Sequence, residues 1–333
     1  PRMMPLRLVM MGTGDFAVPT FESLYGTPHQ VVGLFTQPDR TGRGHHRNLQ
    51  NPMKELSQRH ETPVFQPQKI NTPESLADLR GLAADLFVVA AYGQILSSEL
   101  LSIPRLGSIN VHASLLPKYR GAAPVAFAIW NGDAETGVSI IQVLPQLDAG
   151  PIYAVARTPI GPTETAGQLE DRLARLATEL VPGVIEEIWT GTADPAPQSE
   201  ALATRAPKLK KQMGDIDWTK SAAQIDWQVR AMQPWPNPYT FLHSAGKPPQ
   251  RLLVPAVRPL AESDGTSAPG TPTTIDKDRL VVRAGQGAVE VLQIQPEGKR
   301  PMSIAEFLRG RSVTPHDHFG PEISAAAQSA KNE

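Results

Sequence analysis

Leu6-Arg7-Leu8-Val9-Met10-Met11-Gly12-Thr13-Gly14-Asp15-Phe16-Ala17 is the stretch on which the reading of the fold turns. A compact apolar run that stops at a glycine reads as a buried strand, and Phe16 to Tyr25 then reads as a helix, with Pro19 tolerable only in its first turn. Val31–Thr36 repeats the strand pattern, and Asn51-Pro52 marks a helix start, with Asn as cap and Pro at the first helical position. Leu86–Ala91 and Ser108–Val111 are further apolar runs of strand length. Short buried strands alternating with helices predict an α/β domain built on a doubly wound, mostly parallel sheet.

The opening turn matches G-x-G-x-x-G/A, the pattern that brings a backbone close to a pyrophosphate. Asp39 lies where a ribose contact would be sought, so a nicotinamide oxidoreductase is an alternative at this stage. Against it, Asp39 sits past the strand in a long Pro/Gly/basic loop from Gln37 to Asn51, and a tight strand-to-helix turn explains the glycines equally well.

Beyond the sheet core, Val138–Val143 and Ile152–Arg157 read as strands flanking Asp148-Ala149-Gly150. From Thr165 to Trp189, Leu169, Leu173, Leu176, Leu180, Val184 and Ile188 recur at spacings of three and four, which predicts one helix packed on the sheet. Gly191–Pro207 is rich in Thr, Ala, Pro and Gly and reads as an interdomain linker. Past it, Arg251–Val257, Leu280–Arg283 and Ala288–Ile294 are strand-like pieces between turns, which predicts a small β-barrel or sandwich. Ala261–Pro272 reads as a loop, and Ser324 onward as a frayed tail.

The 333 residues fit two domains, and 33 prolines favour turns and ordered loops over a helical bundle. The absence of cysteine excludes disulfides, thiolate metal sites and cysteine nucleophiles. The first twenty residues lack a signal-peptide pattern, and no apolar run approaches bilayer-spanning length. The expectation is a soluble, cytoplasmic monomer whose natural start, before Pro1, has been trimmed or replaced. Net charge is −1, yet residues 200–311 carry 16 Lys and Arg against 11 Asp and Glu, while residues 1–199 carry 15 against 19. The basic half fits an acidic polymer partner such as a nucleic acid. No metal is expected: His45-His46 and His316 with His318 read as solvated residues without ligand spacing. No phosphate-cradling G-x-x-x-x-G-K-[ST] is present either.

The stretch that carries chemistry is Gly107-Ser108-Ile109-Asn110-Val111-His112-Ala113-Ser114-Leu115-Leu116-Pro117. On an extended strand Asn110 and His112 project from the same face, and both fall near the strand's C-terminal end, where open α/β sheets bind ligands. An amide and an imidazole side by side can donate to one developing oxyanion. Asp148, in a turn after the next strand, could orient and charge the imidazole or pass a proton. Read alone, the pair fits a satisfied strand edge equally well, and the aspartate fits a self-capping turn.

Several blocks in order resemble the methionyl-tRNA formyltransferase family, part of the formyltetrahydrofolate-dependent formyltransferases. They are Gly12-Thr13 with Asp15-Phe16, Phe35-Thr36-Gln37-Pro38-Asp39-Arg40, Asn110-Val111-His112 with Ser114-Leu115-Leu116-Pro117, Arg120-Gly121-Ala122-Ala123-Pro124, Gly132-Asp133-Ala134-Glu135-Thr136-Gly137-Val138, Leu147-Asp148-x-Gly150, Ile216-Asp217-Trp218 and Pro234-Trp235-Pro236. The resemblance implies a Rossmann-like domain over residues 1–190 that binds 10-formyltetrahydrofolate, a linker over 191–207, a basic, OB-like β-barrel over 208–312 that helps hold tRNA, and a tail over 313–333. It implies Asn110, His112 and Asp148 as the catalytic set. Ser114, Leu115, Leu116 and Pro117, with Ala91, Tyr92 and Gly93, fall on the folate-binding segments. Arg40, Arg43 and Arg47 fall in the loop that approaches the tRNA acceptor end. Gly14 departs from the family pattern, where proline or serine is more usual, and that departure creates the apparent dinucleotide motif. The implied reaction moves a formyl group from the folate to the amino group of methionyl initiator tRNA. A sugar-nucleotide formyltransferase, a formyltetrahydrofolate hydrolase and a non-catalytic RNA-binding protein remain alternatives.

Overall fold

A computed structural model describes residues 4–40, 51–261 and 265–323. Strand β1 (Arg7–Gly12) lies centrally, and its Leu8, Val9, Met10 and Met11 are fully buried. Burial on both faces is what a continuous apolar run requires, and a parallel sheet covered by helices supplies it. The other strands of the first half are β2 (Gln30–Phe35), β3 (Val64–Phe65), β4 (Leu86–Ala90), β5 (Ser108–His112), β6 (Arg120–Gly121), β7 (Glu135–Gln142), β8 (Ile152–Pro159) and β9 (Arg205–Ala206). Helices α1 (Ala17–Leu24), α2 (Pro52–Arg59), α3 (Pro73–Gly81), α4 (Ser98–Leu101), α5 (Pro124–Trp130), α6 (Ala166–Ala177) and α7 (Val181–Thr190) intervene. The main sheet runs β3-β2-β1-β4-β5-β7-β8, parallel from β3 to β5, with β7 antiparallel to both neighbours. This is the doubly wound, mostly parallel sheet anticipated from the alternation.

Local signals place the helix starts. Asn51 caps α2 by accepting from Met53 N–H, with Pro52 at the first helical position, and Thr72 caps α3 in the same way. The leucine stripe expected as one helix from Thr165 to Trp189 is two, α6 and α7. Pro182 is the physical reason: inside a continuous helix it would lack an N–H and clash with the carbonyl of Thr178, whereas in the first turn of α7 it costs nothing.

The chain forms two compact units. The first comprises residues 1–124, 135–159 and 169–207, and the second 125–134, 160–168 and 208–333. The 191–207 stretch therefore groups with the first unit, where β9 pairs with β6 and Ala196 bridges Ile152. In the second unit β10 (Tyr239–His243), β11 (Gln250–Leu260), β12 (Pro272–Ile275), β13 (Leu280–Arg283), β14 (Ala288–Pro296), β15 (Met302–Ser303) and β16 (His318–Gly320) form a curled antiparallel sheet ordered β12-β13-β14-β11-β10-β16, with β15 on β14. Phe319 N–H donates to Gly270 O at 2.8 Å, which ties the β16 edge back to the chain entering β12. Helices α8 (Ala222–Ala231) and α9 (Ile304–Gly310) contribute Ile225, Val229, Ile304 and Phe307 to its core. Trp218 is buried there and donates from Nε1 to Thr240 Oγ1 at 3.0 Å. Phe319, in the stretch read as tail, is 1% exposed.

Candidate active site

Asn110 and His112 stand two residues apart on β5, so their side chains share one face. Asn110 is half-buried, and its amide makes no hydrogen bond among the described residues. His112 is 6% exposed, and its Nε2 lies 2.7 Å from the Tyr119 carbonyl oxygen. A carbonyl only accepts, so Nε2 carries the hydrogen and Nδ1 is left toward the site. There, Nδ1 stands 3.7 Å from Asp148 Oδ2. That separation is an ion-pair distance but too long for a direct hydrogen bond.

The register explains how the aspartate arrives. Strand β7 is antiparallel to β5, so its last residue, Gln142, pairs with Ile109, while Ser139 pairs with His112. The 143–150 segment therefore doubles back for Asp148 to reach the far end of β5. Gly150 lets it do so, because a Cβ at that position would collide with the Gln142 carbonyl. Asp148 itself has φ +51. Its Oδ2 accepts from Gly121 N–H at 2.8 Å. Gly121 has φ +123, and a Cβ there would lie 2.5 Å from the Ala206 carbonyl oxygen, so the β6–β9 pairing that presents this N–H needs glycine.

The segment after β5 is held by hydroxyls. Ser114 Oγ donates to Lys118 O at 2.6 Å. Ser139, fully buried, donates to Ser114 O at 2.7 Å and accepts from Leu116 N–H at 3.1 Å. Sequence reasoning passed over Ser139, although a lone hydroxyl in the apolar run Val138 to Ile141 was the available signal. Leu116 is buried, and Leu115 and Pro117 are half-buried.

At the end of β4, Ala91 (φ +49) and Gly93 (φ +86) turn the chain through the left-handed region, with Tyr92 buried between them. Burial pushes the Tyr92 phenol well above its ordinary value, and its hydroxyl has no hydrogen-bond partner among the described residues. Gln37 Nε2 donates to Tyr92 O at 3.1 Å, and Thr13 N–H donates to Ala91 O at 3.0 Å, which ties this turn to the one after β1. Two large apolar side chains are exposed beside these segments, Ile95 (80%) and Leu147 (64%).

Arg40 is exposed, and Arg43 and Arg47, with His45 and His46, lie outside the described residues. Asp39, considered for a ribose contact, is engaged by Lys54 at 2.8 Å and Gln66 at 2.9 Å. Those hydrogen bonds, Lys54 first, hold its carboxyl below the usual range. Among the described residues no group of three or more His, Asp or Glu side chains could hold a metal ion, and no helix is long and apolar enough to cross a membrane.

Residues 6–185 match the formyl transferase family and residues 208–312 its C-terminal domain, which sets the class. Methionyl-tRNA formyltransferase of Pseudoalteromonas translucida is 42% identical over 319 residues, 95% of this chain and 98% of that protein. The protein of the same name from Acidithiobacillus ferrooxidans is 44% identical over 91% of this chain and 95% of its own length. The chain belongs to the methionyl-tRNA formyltransferase family. Among solved structures, an N-formyltransferase from Helicobacter canadensis superposes with TM-score 0.63 at 18% identity, over 86% of this chain and 98% of that one. HypX from Aquifex aeolicus in complex with tetrahydrofolic acid gives 0.59 at 16% identity, over 92% and 47%. At such identities these two likenesses speak for the fold alone.

Proposed function

We propose that this chain transfers the formyl group of 10-formyltetrahydrofolate to the α-amino group of methionyl initiator tRNA, giving N-formylmethionyl-tRNA for translation initiation. The observation that carries the reading is local: on β5 an amide without a hydrogen-bond partner among the described residues (Asn110) shares a strand face with an imidazole whose Nδ1 is turned to the site (His112), and a carboxylate (Asp148) stands 3.7 Å from that nitrogen. In this reading the neutral amine adds to the formyl carbon. Asn110 Nδ2–H and, in its protonated form, His112 Nδ1–H donate to the carbonyl oxygen as charge builds on it. The C–N10 bond then breaks, and one amine proton ends on the departing nitrogen. The Asp148 carboxylate, kept beside the charged imidazole, is the group that can hold that proton in transit, through one small bridging group such as water.

The residues present suit a folate. The exposed apolar Ile95 and Leu147 offer surface to a flat ring system, and the left-handed turn at Ala91 and Gly93 presents main-chain groups that can pair with a heterocycle's edge. Ser114, Leu115, Leu116 and Pro117 form the adjoining wall. For the tRNA, Arg40, Arg43 and Arg47 and the basic second half supply phosphate contacts, so binding weakens with salt. In this reading the enzyme works in the cytoplasm as a monomer. The test is transfer of labelled formyl from 10-formyltetrahydrofolate to methionyl initiator tRNA, with a sugar-nucleotide amine as the competing acceptor. Label on the tRNA is expected; label only on the sugar, or only in free formate, overturns the reading.

A further inference from the structure

Gln198, in the stretch that reads as a linker, is the meeting point of three segments of the first unit. Its Nε2 donates to the main-chain carbonyls of Asp148 at 2.7 Å and Gly150 at 2.8 Å. Its Oε1 accepts from Arg120 Nε at 3.2 Å and from the Arg120 terminal nitrogen at 3.0 Å. The amide therefore uses both N–H groups and both lone pairs, and its orientation is set, since two carbonyls demand the nitrogen and a guanidinium demands the oxygen. The guanidinium is itself clasped by Glu200 at 2.7 and 3.0 Å.

Asp148 needs such a clasp. A non-glycine residue at φ +51 occupies a backbone region that surrounding structure has to enforce. The turn's own main-chain hydrogen bond, from Ala149 N–H to Gln146 O, is long at 3.4 Å. The carboxylate end is held by Gly121, whose strand pairs with Ala206 of the same stretch. On the other side of the site, Thr204 accepts from Tyr119 N–H through its hydroxyl and from Arg120 N–H through its carbonyl, which fixes the peptide whose oxygen holds His112. Residues 196–206 thus brace both partners of the imidazole–carboxylate pair.

We infer that Gln198 is a positioning residue for formyl transfer: its amide clamps the Asp148–Gly150 turn and so aims the Asp148 carboxylate at His112 Nδ1. The role rests on the reading of Asn110, His112 and Asp148 as the catalytic set. Loosening the clamp leaves every substrate-contacting side chain in place but lets the carboxylate drift, and a displacement of about 1 Å at a reacting centre costs on the order of 10²-fold in rate.

The experiment measures kcat and KM for both substrates in the full-length protein and in Gln198→Ala, Gln198→Glu, Glu200→Ala, Asp148→Ala and the Gln198→Ala/Asp148→Ala double variant. Gln198→Ala is expected to lower kcat about 10- to 100-fold while both KM values stay within about twofold. Gln198→Glu has the same shape but turns a carboxylate toward two carbonyl oxygens, so its loss should equal or exceed that of the alanine variant. Glu200→Ala frees only the far side of the Arg120 guanidinium, so its loss in kcat should be smaller than that of Gln198→Ala. The double variant should be no slower than Asp148→Ala alone, because the clamp acts through that carboxylate. Circular dichroism and the thermal midpoint check folding, and if Gln198→Ala does not fold, Gln198→Glu carries the test. Wild-type turnover in the folded Gln198 variant, a loss confined to KM, or a double-variant loss equal to the product of the single losses overturns the inference. Wild-type turnover in Asp148→Ala is a separate outcome, which removes the reading of the site on which this role stands.

Discussion

Replacing Ser139 by alanine deletes one buried oxygen that satisfies two main-chain groups. Its Oγ accepts from Leu116 N–H at 3.1 Å and donates to Ser114 O at 2.7 Å, and the residue is fully buried. Each buried group left unpaired costs about 1–3 kcal/mol, and some relaxation is expected, so the loss should be about 2–4 kcal/mol. For a unit of this size that lowers Tm by about 5–15 °C. Ser114→Ala is the comparison. Its Oγ donates to the carbonyl of the exposed Lys118, where water can take over, so its cost should stay near or below about 1 kcal/mol. Calorimetry on the two variants reads the difference. Because Ser139 pairs with His112 across the strands and holds the 114–116 segment, KM for the formyl donor should rise in step. A Tm within about 2 °C of wild type, with KM unchanged, would refute the claim that this hydroxyl holds the segment together.

Other perturbations have equally definite outcomes. Asn110→Ala and His112→Ala should each lower single-turnover formyl transfer by about 10²–10³-fold while tRNA binding, followed by filter retention, persists; near-normal rates in either would dismiss the proposed oxyanion donors. Gly121→Ala forces a Cβ against the Ala206 carbonyl at φ +123 and withdraws the N–H from Asp148, so turnover and Tm should fall together; an unchanged Tm would show that β6 and β9 separate without cost. Asp215 has a buried Oδ1 without a partner among the described residues, and burial first, then Asp217 and Glu322, push its carboxyl up to about 6 from an ordinary 3.8, against the pull of Arg251. The folded state thus binds this proton more tightly than the unfolded state. The contribution of Asp215 to stability therefore falls as pH rises from about 4 to 6, and its full penalty is present above 6. The ceiling of about 3 kcal/mol drops to about 1 kcal/mol after solvent screening of a half-buried group. Asp215→Asn should consequently raise Tm at pH 7.5 and leave it unchanged near pH 4, and equal shifts at both pH values would exclude ionisation as the cause.

Read along the chain alone, the strand and helix alternation, the cap at Asn51 with Pro52 as the first helical residue, and the shared face of Asn110 and His112 were legible. These depend on periodicity and on hydrogen bonds between near neighbours, which the chain carries wherever it goes. Periodicity alone misled at Pro182, where the leucine stripe continues through a residue that cannot continue the helix. The assembly around the imidazole was not legible there, because it comes from packing between distant segments. The reversal of β7, the return of the 143–150 segment, the buried hydroxyl of Ser139 and the brace from Gln198 and Thr204 join residues 27, 50 and 85 positions apart, as in the Gly121–Asp148, Gln198–Asp148 and Tyr119–Thr204 hydrogen bonds. No local pattern encodes such pairings. They exist because the packed sheet brings distant main-chain groups, shielded from water, to points where each has to find a partner.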